Sequence, residues 1–296
     1  MPLSRTTSPV FSPYWHRVLV GVVLCFALAA PCRAQVFYSV ISSDGRQSWL
    51  LGTIHAEDER ALEFPPVLQQ ALRQADRIAL ELLPRQAAMK RLAAAMQLPE
   101  EQRLADYLDD ELYESVLAAM RDHGIEADAV ARMRPWAAAL TLAQPPVRTG
   151  RFMDLALAQR AAEHGAVAMA LETMDEQLAF FTEMGPDAHV ALLESAVADH
   201  ARGRQAFESL IKAYLDGDLE QLVELAEAEL SGLPAEIREH FREAGIVQRN
   251  RNMARRAQPL IEQGRTLIAV GALHLPGPEG LVALLRGQGN QVEAIY

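Results

Sequence analysis

Trp49-Leu-Leu-Gly52-Thr-Ile-His55 reads as a buried strand that runs into a glycine and then a histidine. The same order returns near the other end of the chain, as Ile268-Ala-Val-Gly271-Ala-Leu-His274. A short, continuously apolar run bounded by turn residues fits a strand covered on both faces, the kind found in parallel sheets under helices. In each copy a helix start follows, at Pro65-Pro66 and at Pro278. The pair therefore predicts an α/β fold with both Gly-x-x-His histidines just beyond the carboxyl ends of strands, where open sheets collect ligands.

Outward from these two segments, strand-like runs are few. Segments 36–41 and 48–54 flank Ser43-Asp44-Gly45 and predict a hairpin. The other expected strands are 77–83, 166–171, 266–271 and 291–296. Helical periodicity predicts helices over 85–97, 110–122, 135–143, 151–163 and 187–215. Asp216-Gly217 stops the last of these, and Asp218 caps a further helix with Gln221 as its capping-box partner. A long helix over 234–262 and a final one over 279–287 complete the pattern. With no linker rich in Pro, Gly or Ser, residues 35–296 are expected to form one helix-rich domain, its sheet interrupted by a helical insertion.

Residues 1–34 are expected to be a signal peptide rather than part of the fold. A basic start holding Arg5 and Arg17 precedes an apolar run from Val18 to Ala30, too short for a comfortable membrane span. Cys32-Arg33-Ala34 fits a small-x-small cleavage site before Gln35; acylation at Cys32 and an uncleaved anchor are the competing readings. Both cysteines, Cys25 and Cys32, fall in this segment, so the expected mature chain has no disulfide, thiolate nucleophile or Cys-held metal. It also loses three basic residues and no acidic one, which leaves 25 basic against 39 acidic residues, a net charge of −14. Such a surface argues against nucleic acid or an anionic membrane face as partner. A periplasmic or secreted protein, with no membrane insertion after cleavage, is the expectation.

The histidines sort by context. His123 and His164 each precede a glycine at a helix end, where a histidine suits the helix dipole and glycine the left-handed cap. His189, His200 and His240 sit in polar, helix-periodic surroundings and are expected to be solvated. Only His55 and His274 follow apolar strands directly; the alternative for them is a structural role, bonding loop carbonyls. Glu81 and Glu172 also end strand-like runs, where a carboxylate is costly unless paired or metal-bound. Salt bridges, to Arg77 or Arg85 for Glu81, are the competing explanation. Two imidazoles and one or two carboxylates suit a divalent ion such as Mn, Co, Zn or Fe. Arg249-Asn250 lies in a polar cluster on the long predicted helix, and its guanidinium could meet a carboxylate or an oxyanion. There is no Gly-x-Ser-x-Gly, phosphate loop or dinucleotide fingerprint.

Taken in order, Leu51-Gly-Thr-Ile-His55, Ile78-Ala-Leu-Glu81, Met133-Arg-Pro-Trp136, Asp154-Leu-Ala156, Leu171-Glu-Thr173 with Glu176-Gln177, Arg249-Asn250 and Gly271-Ala-Leu-His274-Leu-Pro-Gly277-Pro-Glu-Gly280 resemble the TraB/GumN (TraB/PrgY/GumN) family, related to the Tiki-type proteases. The resemblance runs from about Trp49 to Gln291. It implies a metal-dependent hydrolase, a peptidase, with a sheet-and-helix fold similar to that of erythromycin esterases (EreA) and haem-binding ChaN-like proteins. His55, Glu81, Glu172, Arg249, Asn250 and His274 match the family's site. Many members carry an acidic residue two positions after the first Glu, where this chain has Leu83.

The expectation is therefore metal-assisted hydrolysis of a peptide or small-molecule substrate. His55, Glu81 and His274 would hold the metal, Glu172 would act as general base, and Arg249, beside Asn250, would steady the oxyanion or a substrate carboxylate. The competing functions are a binding protein that sequesters a peptide signal or haem, and an accessory factor of envelope polysaccharide export.

Overall fold

Six strands form one sheet in the order β4-β3-β5-β2-β1-β6. The computed structural model describes residues 36–296, so the expected signal segment lies outside the described residues. The strands are β1 (Phe37–Ile41), β2 (Gln47–Thr53), β3 (Arg77–Leu80), β4 (Val167–Ala170), β5 (Thr266–Gly271) and β6 (Gln291–Ala294). The four from β4 to β2 run parallel to their neighbours, whereas β1 pairs antiparallel with both β2 and β6. The chain is thus a helix-rich α/β protein with a mixed sheet, and residues 36–296 fall within one compact unit.

Burial follows position in the sheet. β2 and β5, at its centre, are buried almost without interruption, as their apolar runs demand. β4 and β6, at the edges, are mostly exposed or half-buried. The two Gly-x-x-His strands pair in parallel, with Thr53 opposite Gly271. Helix Pro66–Gln74 starts at the proline pair and turns Leu68, Ala71 and Leu72 into the main core. The core closes with Met153, Leu157 and Ala161 from one helix and Met253, Ala254, Ala257 and Ile261 from another. Among the described residues no helix is long and apolar enough to cross a membrane.

Two differences from the periodicity reading affect the site. The expected helix 234–262 is one continuous rod in three parts: Ala235–His240 and Gln248–Gln263 are α-helical, and Phe241–Val247 between them is a π-helix. Gly245 lies in the wide segment, where an added Cβ would sit 3.2 Å from the Phe180 ring. Phe241 meets the same ring edge-on at 4.9 Å. The wide turn thus fits helix to aromatic neighbour. Helix Met174–Thr182, in a stretch expected to be helical but not delimited as an element of its own, starts at a capping box of Thr173 and Glu176. Its last carbonyls explain two histidines expected to be solvated. His189 bonds the carbonyl of Phe181 at 2.7 Å and His240 that of Phe180 at 2.8 Å, in the last turn, where carbonyls lack the regular helical partner. His200 meets Asp122 at 3.1 Å.

Gly52 shows why the first motif needs its glycine. An added Cβ would lie 2.7 Å from Leu275 Cδ1 and 3.0 Å from the Ala272 backbone. The turn after β5 therefore packs straight onto the β2 backbone, whose Gly52 carbonyl also accepts from the buried Tyr214 hydroxyl at 2.9 Å. Gly52→Ala should cost about 1–3 kcal/mol, the usual penalty for overpacking a filled site. Chemical denaturation of the purified variant measures it, and an unchanged midpoint would refute the close packing.

Candidate functional site

The four parallel strands deliver four titratable side chains at their carboxyl ends. In spatial order they are Glu172 after β4, Glu81 after β3, His274 after β5 and His55 after β2. The pairing of β3 with β4 continues past their ends, because the Glu172 N–H donates to the Glu81 carbonyl at 2.8 Å.

Arg249, on helix Gln248–Gln263, ties the two carboxylates together. Its Nε donates to Glu172 Oε1 at 2.9 Å, and its Nη2 reaches Glu172 Oε2 and Glu81 Oε2, each at 2.6 Å. Gln177 adds a donor to Glu172 at 3.2 Å. The Glu172 side chain is 2% exposed, so both its oxygens are committed to Arg249 in a dry setting. The guanidinium expected to await an oxyanion is likewise occupied by the two glutamates. A planar fork can bridge two carboxylates where a lysine's point charge could not. Burial works to lower the Arg249 pKa, but Glu172 and Glu81 outweigh it and raise the value.

Glu81 has a second anchor. Its Oε1 accepts from the Gly271 N–H at 2.6 Å. An added Cβ at Gly271 would sit 3.2 Å from that same oxygen and 3.6 Å from the His274 ring. The second motif's glycine thus admits carboxylate and imidazole together. Burial works to raise the Glu81 carboxyl. Opposing it, the Arg249 charge and the Gly271 N–H, joined by His274 whenever its ring is protonated, hold it below the usual carboxylate range.

His274 is almost wholly buried, and its tautomer follows from its partner. Asn250, one residue past Arg249, donates through Nδ2 to the Glu279 carbonyl at 2.8 Å. Its Oδ1 therefore faces the His274 Nδ1 at 2.7 Å, and an amide oxygen can only accept. Nδ1 carries the hydrogen, and Nε2 keeps its lone pair. That nitrogen looks at Glu81 Oε1 across 3.8 Å. Burial, helped by nearby Arg249, pushes the ring's pKa down against the pull of Glu81, which favours the neutral imidazole.

His55 is different. Its side chain is 64% exposed, its ring lies flat on Phe152 with centroids 4.2 Å apart, and its Nδ1 faces Asp154 Oδ2 at 3.8 Å. Both it and His274 line a cleft of about 2510 Å³, along with Glu81 and Arg249. The walls include Trp136, Phe180, Phe181 and Phe241, joined by ring contacts of 4.6–4.9 Å.

A divalent ion bonds nitrogen and oxygen ligands at about 2 Å, so two donors 3.8 Å apart can share one ion. Glu81 Oε1 and His274 Nε2 suit it chemically, an anionic oxygen and an imidazole lone pair freed by a bonded Nδ1. The expected set of His55, Glu81 and His274 is not brought together as a group. Among the described residues no three His, Cys, Asp or Glu side chains are clustered to hold a metal ion. The physical reason is that the His55 ring lies against Phe152 and Asp154 instead. Leu83 packs against the core. The sequence reading gave no role to Phe152, Asp154 or Thr53 around His55, although the family-like segments Leu51-Gly-Thr-Ile-His55 and Asp154-Leu-Ala156 hold two of them.

A family model described as the TraB/PrgY/gumN family matches residues 37–294. Among curated proteins, Metalloprotease TIKI2 of Danio rerio is 26% identical over 83% of this chain and 58% of its own length. Metalloprotease TIKI1 of Danio rerio is 27% identical over 83% of this chain and 60% of its own length. Metalloprotease TIKI2 of Xenopus tropicalis is 27% identical, with 83% and 57% covered. The chain spans less than two thirds of the length of these relatives. No solved structure matches it.

Proposed function

This chain belongs to the TraB/PrgY/gumN family, and from that premise we propose that it is a metal-dependent hydrolase, a peptidase, working outside the cytoplasm. The observation that carries the reading is the facing pair of His274 Nε2 and Glu81 Oε1, 3.8 Å apart, with Asn250 fixing the imidazole from behind. His274 and Glu81 would hold the ion. When bound, such an ion lowers the pKa of a water and polarises a carbonyl oxygen. Asn250 aims the ring, and burial favours its neutral form. Arg249 and the Gly271 N–H keep the Glu81 carboxylate ionised and oriented, and Glu172 keeps Arg249 in place.

The proton-carrying role falls to His55 in this reading. Glu172, the base expected from sequence, has both oxygens on Arg249. His55 is the exposed imidazole on the same cleft. Two further lines support a peptide substrate. The relatives are named metalloproteases. The cleft walls, rich in aromatic rings, suit apolar side chains flanking a scissile bond. The signal-like first 34 residues support export.

The test is metal analysis of the purified chain after loading with Mn, Co, Zn or Fe(II), followed by a peptide-library digest read by mass spectrometry. Bound metal with defined cleavage is expected. Metal retained without any cleavage would favour a sequestering protein, and the absence of binding to all four ions would overturn the metal reading.

A further inference from the structure

We infer that Asp154 is the positioning residue of His55: it holds the Nδ1–H of that ring so that Nε2 is presented to the cleft, the role Asn250 has for His274. The inference rests on the reading of His55 as a working group of the proposed site. An imidazole on the surface ordinarily keeps its rotamers and favours the tautomer with hydrogen on Nε2. His55 is held on two sides while its third face stays open. Phe152 supports the ring in a nearly parallel stack, 6° between planes. Asp154 faces Nδ1. Both belong to the start of helix Met153–Glu163, Phe152 as the residue before its first turn and Asp154 within that turn.

Asp154 is itself oriented. Its Oδ1 accepts from the buried Thr53 hydroxyl at 2.9 Å, which leaves Oδ2 toward His55. Thr53 ends β2, two residues before His55, so strand and helix start are locked to each other around the ring. The 3.8 Å separation is an ion-pair distance, longer than a hydrogen bond. Catalytic hydrogen bonds are commonly long without substrate and tighten when it binds.

The two Gly-x-x-His motifs thus share one arrangement. In each, an oxygen from a separate helix faces Nδ1, and the other ring nitrogen is left to the site. They differ in the partner: a neutral amide stands behind the buried ring, and a carboxylate stands behind the exposed one. A carboxylate behind Nδ1 suits a ring that gains and gives a proton, because it balances the charge that develops.

The test reads the tautomer directly. Protein labelled with 15N-histidine is examined by long-range proton–nitrogen correlation at a pH where the ring is neutral, the His55 signals being assigned by their loss in His55→Gln. The wild type should show the Nδ1–H tautomer. Asp154→Ala should move His55 toward the Nε2–H form, and Asp154→Asn should restore Nδ1–H, because an amide oxygen can still accept there while its NH2 group bonds Thr53. Thr53→Val, which keeps the buried shape, should produce a smaller shift of the same sign. Where a peptide substrate is in hand, Asp154→Ala should lower kcat about 10-fold or more with little change in KM, and Asp154→Asn should recover most of it. A wild-type Nε2–H tautomer, or one indifferent to Asp154→Ala, would overturn the inference even if the chain proves to be a peptidase. Conversely, failure to find any substrate would leave the tautomer result standing and remove only the hydrolase reading.

Discussion

His274→Ala protein is expected to lose metal and turnover together, whereas His55→Ala protein keeps its metal and turns over about 10²–10⁴-fold more slowly. The split follows from the two environments. His274 contributes a lone pair that bonds no other group among the described residues, next to a carboxylate fixed from two directions. Alanine there removes one of only two facing donors and leaves Asn250 Oδ1 without its partner. His55 contributes an imidazole resting on Phe152, apart from those donors. Metal content by mass spectrometry, with single-turnover rates on one cleaved peptide, measures both halves of the prediction. If His55→Ala also loses its metal, His55 is a ligand after all, as the matched motifs first suggest. Its ring would then have to leave Phe152 when the ion binds.

That contrast marks how far the sequence could be read. Apolar run length placed the central strands, and for Thr266–Gly271 it gave both ends, because a strand buried on two faces announces itself without reference to partners. The motif glycines turn out to mark close approach, of the Ala272–Leu275 turn at Gly52 and of Glu81 at Gly271. Pairing was another matter. Arg249 lies 168 residues from Glu81 and 77 from Glu172, and local signals carry no information about contacts over such separations. Nearness in sequence offered Arg77 and Arg85 as partners for Glu81. The π-helix was also invisible, since seven residues of altered register barely disturb a 3.6-residue period in a long helix. The helix at Met174 was legible through Thr173-Met-Asp-Glu176, a capping box that a search by apolar period alone passes over.

Arg249→Met should be the most destabilising single change at the site, by about 3–5 kcal/mol at neutral pH, the usual result of removing one partner from a buried charged network. Methionine fills much of the space but leaves the Glu81 and Glu172 carboxylates side by side without a counter-charge, in a setting where Glu172 is 2% exposed. The sign of the pH dependence separates this cause from simple loss of packing. In the wild type, the Glu81 pKa is depressed, so its contribution to stability is present above about pH 4.5 and declines as pH falls through the folded value. In Arg249→Met, burial of Glu81 is no longer opposed by the guanidinium, and its carboxyl takes up a proton more readily than in the wild type. The gap to the wild type should therefore narrow as pH falls from 7 toward about 5. Adding Glu81→Gln and Glu172→Gln to Arg249→Met should recover most of the loss at pH 7, since neutral amides need no counter-charge. Urea midpoints at pH 7 and pH 5 for the wild type, the single variant and the triple variant measure every part of this. A loss below about 1 kcal/mol, or a gap that does not change with pH, would mean that solvent rather than Arg249 carries the two carboxylates.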